Sequence, residues 1–191
     1  MKLHIYLFRH GQSYFNRDNK FTGWLDSTLT PLGKKQAQKI AQKLKDKKID
    51  VAYYTHLSRS KDTLKEVLKY HPECKRVITD DRMIERSYGN FQGKSHTVII
   101  KKFGLEKFNR WHREYNYPVP KGESMKRVEK RVKSFIKDLL GKMRREKINV
   151  AISAHGNSMR PFRRYFEHLT VKQMMKLENP WDDYFEYTID V

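Results

Sequence analysis

Apolar residues run almost unbroken from Leu3 to Phe8, and a run of this bulk predicts a strand buried on both faces. The run ends in "RHG" and opens onto a polar, turn-rich segment, "QSYFNRDNKFTGWLDSTLTPLG". Within it, Thr30 before Pro31 has the pattern of a helix cap with proline at the first helical position. Ala37, Ile40, Ala41 and Leu44 then repeat at helical spacing and predict a helix to about Lys47. Ile49 to Thr55 reads as a second strand, and Leu64, Val67 and Leu68 line one face of the helix after it. Lys75 to Thr79 reads as a third strand.

Strands alternating with helices at this spacing predict crossover units and a largely parallel sheet. Residues 80–121 interrupt the rhythm. There "IERSYGNFQG" reads as a loop, "HTVIIKKFG" and "LEKFNRWHREY" as short helices, and "NYPVPKG" as a proline-bearing turn. Met125, Val128, Val132, Phe135, Ile136, Leu139 and Met143 then mark the longest amphipathic helix. Ile148 to Ser153 is another buried strand, ending in "AHGNS". A helix follows with Met159, Phe162, Phe166 and Leu169 on one face, and "YFEYTID" reads as an edge strand. No internal repeat or low-complexity linker divides the chain, so the expectation is one domain over 1–191 with a helical insertion at about 80–121.

Composition adds a direction for ligands. Lysine and arginine number 41 against 22 acidic residues, a formal charge of +19, which favours anionic partners. Most of that excess lies in "GKKQAQKIAQKLKDKK" and "KRVEKRVKSFIKDLLGKMRREK", where lysines interleave with an apolar stripe and read as solvated helix faces. The single cysteine, Cys74, excludes an intramolecular disulfide. No apolar stretch approaches the length of a membrane span, and the run in "MKLHIYLFRHG" is too short for a signal peptide, so a cytoplasmic protein is expected.

Two buried strands end in His-Gly, at His10 and at His155, and each is followed by a helix. In an open parallel sheet, ligands bind at the carboxyl ends of the strands. A glycine there lets backbone approach a ligand, and a helix N-terminus attracts an anion. One such histidine alone reads as a packed or surface imidazole; a pair at equivalent strand ends reads as a site. Neither has a partner at metal-ligand spacing, so no metal is expected.

The ordered motifs "RHGQSYFN", "FTGWLDSTLTPLG", "HLSRSKDT", "IERSYGNFQG", "WHREYNYPVP", "GESM" and "AHGNSMR" resemble those of the histidine phosphatase superfamily. Within it they are similar to the mutases of phosphoglycerate that depend on 2,3-bisphosphoglycerate. The resemblance covers nearly the whole chain and implies an α/β fold: a three-layer, doubly wound, mostly parallel sheet with helices on both faces. It implies His10 as a nucleophile that becomes transiently phosphorylated, its other ring nitrogen donating to a backbone carbonyl. It implies Arg9, Arg59 and His155 around the phosphoryl oxygens and Glu85 as general acid and base. Without the motifs, Arg59 reads as a surface arginine at a helix start and Glu85 as a loop glutamate paired with Arg86. Ser13, Asn16, Thr22, Gly23, Gly156 and Asn157 match positions that hold phosphate or substrate oxygens, although Asn16 and Thr22 equally suit turn caps. Arg86, Tyr88, His96, His112 and Arg113 match the grip on the far end of the substrate.

Four departures bear on activity. His96 stands where the mutases carry a basic residue, and His112–Arg113 where they carry two arginines, so substrate affinity is expected to fall as pH rises. The stretch from "PVP" to "GESM" is short, and the sequence stops at Val191, where many mutases continue into a tail over the site. The resemblance therefore implies a mutase that interconverts 3- and 2-phosphoglycerate, with 2,3-bisphosphoglycerate as phosphoryl primer. The alternative is a phosphatase acting on small phosphomonoesters through the same intermediate. A third reading, a basic nucleic-acid-binding module on this fold, finds no RNP-like or GXXG motif. The expected partner is a small anionic phosphorylated substrate, with no specific nucleic acid and no membrane; a homo-oligomer is compatible with the sequence.

Overall fold

A computed structural model describes every residue from Met1 to Val191. Strand β1 (Lys2–Arg9) leads into a single helical turn, α1 (Tyr14–Arg17), and then helix α2 (Pro31–Leu44). Strand β2 (Val51–Tyr54), helix α3 (Ser58–Leu68) and strand β3 (Arg76–Thr79) follow. Two 3-10 turns, Asp81–Met83 and Gly89–Phe91, precede helices α4 (His96–Phe103) and α5 (Leu105–Arg113). The chain closes with α6 (Met125–Glu146), β4 (Val150–Ala154), α7 (Gly156–Glu167), α8 (Val171–Met175) and β5 (Tyr184–Asp190).

The sheet has the order β3-β2-β4-β1-β5, parallel throughout except for β5, which pairs antiparallel with β1 at one edge. Alternation along β1 divides its side chains between two layers. Leu3, Ile5 and Leu7 pack with α6 and α7 against one face, while Tyr6 and Phe8 pack with Ile40, Leu44, Leu64 and Val67 against the other. Helix α6 forms where the apolar stripe requires it. Ser124 caps it by accepting from the Arg127 amide, and every stripe residue from Met125 to Met143 is buried.

β1 and β4 are neighbours in register, Arg9 opposite Ala154, and the His10 amide donates to the Ala154 carbonyl at 3.0 Å. Each strand therefore delivers its terminal histidine to the same end of the sheet. The 80–121 stretch contributes Tyr88, Phe91, Ile99, Trp111 and Val119 to a separate small core that Phe21 completes.

Two elements escape the periodicity. α1 is one turn, held by Ser13 and Asn16 rather than by an apolar face, and α8 is five residues long. α2 stops at Leu44 rather than near Lys47. Leu169 is not on the face of α7, because that helix ends at Glu167 and His168 turns left-handed at φ 54°.

Candidate active site

At the junction of β1 and β4 the rings of His10 and His155 lie 4.9 Å apart, both buried. Nδ1 of His10 lies 2.7 Å from the Gly11 carbonyl, an oxygen that only accepts, so Nδ1 carries the proton and Nε2 keeps its lone pair. Burial first, and then the charges of Arg59 and Arg9, hold the His10 pKa well below the ordinary histidine value. His10 is thus a neutral imidazole with one nucleophilic nitrogen, in a cavity of about 240 Å³ that it lines with Arg9, Arg59 and Glu85.

One side-chain nitrogen on each of three residues around it lacks a partner. Arg9 Nε, Arg59 Nε and His155 Nδ1 are buried and make no hydrogen bond within the chain. Neither arginine is in an ion pair: Arg59 donates to the carbonyls of Gly23 and Leu25, and Arg9 to that of Asn179. Burial lowers both guanidinium pKa values to about 10, which still leaves them charged at neutral pH. His155 Nε2 is held by the Thr55 hydroxyl at 2.7 Å. Buried polar nitrogens without partners are costly, and an oxyanion in the cavity is a partner of the right charge for the two arginines that line it; His155 does not line it but lies behind His10, ring against ring.

Glu85 is held from two sides. Its Oε1 accepts from the Arg86 amide at 2.7 Å and from the Asn157 amide at 3.2 Å, the latter in the first turn of α7. Oε2 has no partner in the chain. Asn157 also donates to the Tyr88 hydroxyl at 3.0 Å, which ties the loop after β3 to the helix after β4.

The two glycines behind the histidines do different work. A Cβ on Gly156 would lie 3.3 Å from Arg9 Cζ, so this glycine admits the guanidinium. A Cβ on Gly11 would lie 2.1 Å from the Gly33 carbonyl oxygen, so Gly11 serves contact with the backbone of α2 and not with a ligand.

Residues 5–188 match the family model for the histidine phosphatase superfamily, branch 1. The chain belongs to the histidine phosphatase superfamily. Among its relatives is the 2,3-bisphosphoglycerate-dependent phosphoglycerate mutase of Pseudoalteromonas atlantica, 31% identical over 90% of this chain and 87% of that one. The phosphoglycerate mutase of Schizosaccharomyces pombe is 35% identical over 91% of this chain and 84% of its own. Among solved structures, a mycobacterial glucosyl-3-phosphoglycerate phosphatase superposes with a TM-score of 0.84 at 22% identity, covering 98% of this chain and 91% of that one. That last likeness is one of fold.

Around the histidines several expectations change. Asn16, Thr22, Gly23, Tyr88, His96, His112, Gly156 and Asn157 line the cavity. Ser13 does not: fully buried, it caps α1, accepting from the Asn16 amide while its hydroxyl donates to Asn16 Oδ1. Arg86 does not grip a ligand either. Its guanidinium is spent on the carbonyls of Glu123, Trp111 and Tyr117, which fastens the 80–121 stretch together. Arg113 is exposed and lines an outer groove of about 880 Å³.

His96 and His112 are not part-time cations near neutral pH. Packed with Phe21 and Phe108, both are pushed down by burial, His112 to about 4 with further lowering from His96, Arg86, Arg160 and Arg113. The fixed charge at this end of the cavity comes instead from Arg160 and Lys20, which sequence reasoning missed. Arg160 carried a readable signal: it lies four residues after Gly156 and three after Asn157, hence on the same face of α7. Its guanidinium makes no ion pair or hydrogen bond within the chain. Asn179 and Trp181 were also missed, and their loop carries no periodic signal.

Four buried or half-buried histidines with lowered pKa values make stability depend on pH. For His112 the folded value, about 4, lies below the ordinary 6.5, so unfolding takes up a proton between the two. Its stabilisation is complete above the ordinary value and is lost as pH falls toward the folded one. Each histidine held neutral in the fold adds a slope of about 1.4 kcal/mol per pH unit within its window. Urea midpoints are expected to be lower at about pH 5 than at about pH 7.5; equal midpoints contradict the burial of neutral imidazoles.

Proposed function

We propose that this superfamily member is a 2,3-bisphosphoglycerate-dependent phosphoglycerate mutase working through phosphohistidine at His10. The observation that carries the reading is the set of buried, unpartnered nitrogens on Arg9, Arg59 and His155 beside the free Nε2 of His10. In the first half-reaction the N–P bond forms at Nε2 as the donor's P–O bond breaks, and Glu85 gives a proton to the leaving oxygen. In the second, a substrate hydroxyl forms the new P–O bond, the N–P bond breaks and the hydroxyl proton passes to Glu85. The same donors fit one phosphoryl group of the bisphosphorylated primer, with Lys20 and Arg160 available to its remaining anionic groups. The primer would supply the group that first loads His10. The mutase relatives at 31% and 35% identity support the choice of substrate.

A specific observation favours hydrolysis as the second reading. The cavity shares His96, His112, Arg160 and Glu178 with the outer groove, which is an approach for water. Incubating the pure protein with 3-phosphoglycerate, with and without a trace of 2,3-bisphosphoglycerate, separates the two. Primer-stimulated 2-phosphoglycerate is the expected product; phosphate alone overturns the mutase reading.

Under this reading Arg160 holds the substrate carboxylate. Arg160→Ala is expected to raise KM about 10- to 100-fold, the scale of a lost charge-assisted hydrogen bond, with a smaller change in kcat. Steady-state kinetics at fixed primer checks this, and an unchanged KM removes Arg160 from the substrate site.

A further inference from the structure

The loop between α8 and β5 places one large aromatic ring over the phosphoryl site. The face of Trp181 covers the guanidinium of Arg9, whose Cζ lies 3.4 Å from the ring centroid. The ring also stands at 68° to that of His10, with a centroid distance of 5.8 Å. Gly156 lies against the same guanidinium. Trp181 and the Gly156 backbone therefore both restrain Arg9, whose Nε remains buried and unpartnered.

The loop that carries this ring is fastened on both sides. Before it, the Asn179 side chain donates to the Gly156 carbonyl at 2.9 Å and accepts from Arg163 at 3.1 Å, and its own carbonyl accepts from Arg9 at 3.3 Å. After it, Asp182 and Asp183 pair with Lys39 and Lys43 of α2 at 3.1 and 3.0 Å. An anchored aromatic wall beside a reactive nitrogen can do two things. It fixes the plane of the neighbouring cation, and it keeps water from one side of a group bound to that nitrogen.

We propose that Trp181 is a positioning residue that clamps Arg9 and shields phosphorylated His10, and so sets how the phosphoryl group divides between a substrate hydroxyl and water. The proposal rests on the phosphohistidine reading. Both fates break the same N–P bond at Nε2. Transfer makes a P–O bond to the substrate hydroxyl; hydrolysis makes one to water, releasing inorganic phosphate, and in each case Glu85 takes the proton from the attacking oxygen. Trp181 acts on the second fate by limiting the approach of water.

The test loads the full chain with ³²P from labelled 2,3-bisphosphoglycerate, removes free label, and follows protein-bound and released counts in buffer without acceptor. Trp181→Ala is expected to shorten the lifetime of the bound label about tenfold, on the scale of a desolvated cation–π contact. With 3-phosphoglycerate present, the share of label released as phosphate should rise. Trp181→Phe, which keeps an aromatic face, should stay within about threefold of wild type. A folded alanine variant with the wild-type lifetime and wild-type partition overturns the proposal, as does a phenylalanine variant that leaks as fast as alanine. Should the alanine chain fail to fold, Trp181→Leu replaces it, and a wild-type lifetime in that variant again overturns the proposal. Wild-type protein that takes up no label overturns the phosphohistidine reading itself, a result distinct from any of these.

Discussion

His10→Ala is expected to take up no acid-labile phosphoryl group from 2,3-bisphosphoglycerate, and to lose catalytic activity by about 10⁴-fold or more, the scale on which removal of a nucleophile acts. Three neutral imidazoles line the cavity, and His10 is the one whose charge state is set by burial together with Arg59 and Arg9 and whose Nδ1 bond to the Gly11 carbonyl leaves Nε2 free. Alanine deletes that nitrogen and leaves Arg9, Arg59 and His155 in place, so the variant should still bind inorganic phosphate or vanadate. Labelling followed by acid quench reads the first outcome and a thermal shift with vanadate reads the second. A variant labelled as fully as wild type would move the nucleophile elsewhere.

Glu85→Gln should lower kcat about 10²- to 10⁴-fold, the range of a lost general acid and base, without loss of the fold. The isosteric amide keeps an oxygen to accept from the Arg86 and Asn157 amides, as Oε1 does in the carboxylate. What it cannot do is exchange a proton at the other position, where Oε2 has no partner in the chain. Rapid-quench measurement of label uptake is expected to slow by the same factor, while Tm stays near wild type. An unchanged kcat would assign Glu85 to holding the N-terminus of α7 and nothing more.

Comparing Arg9, Arg86, Arg113 and Arg160 shows how far residue type carries an assignment. All four are arginines in or beside recognisable motifs, and the resemblance implied roles for the first three. Arg9 is in the cavity because it ends β1, in register with Ala154 of β4, at the strand ends where His10 and His155 lie. Arg86 is buried on the carbonyls of Glu123, Trp111 and Tyr117, partners that are 25 to 37 residues away in sequence and are brought to it only by the packing of the 80–121 stretch. Arg113 comes off the exposed side of the last turn of α5. Arg160, unassigned from sequence, faces the site because α7 begins at Gly156. The same holds for the histidines: His96 and His112 share a residue type with His10, yet their neutrality comes from the aromatic packing of Phe21 and Phe108.

Strand and helix patterning, the two His-Gly strand ends and the ordered motifs were thus determined by the sequence alone, because hydrophobic period, capping residues and glycine requirements are local properties of the chain. Tertiary structure alone decided which cations reach the cavity, which histidines stay neutral, and that Trp181 lies across Arg9. Those outcomes depend on burial and on partners distant in sequence, and the free energy of a charged or aromatic side chain is set by what surrounds it rather than by its place in a motif.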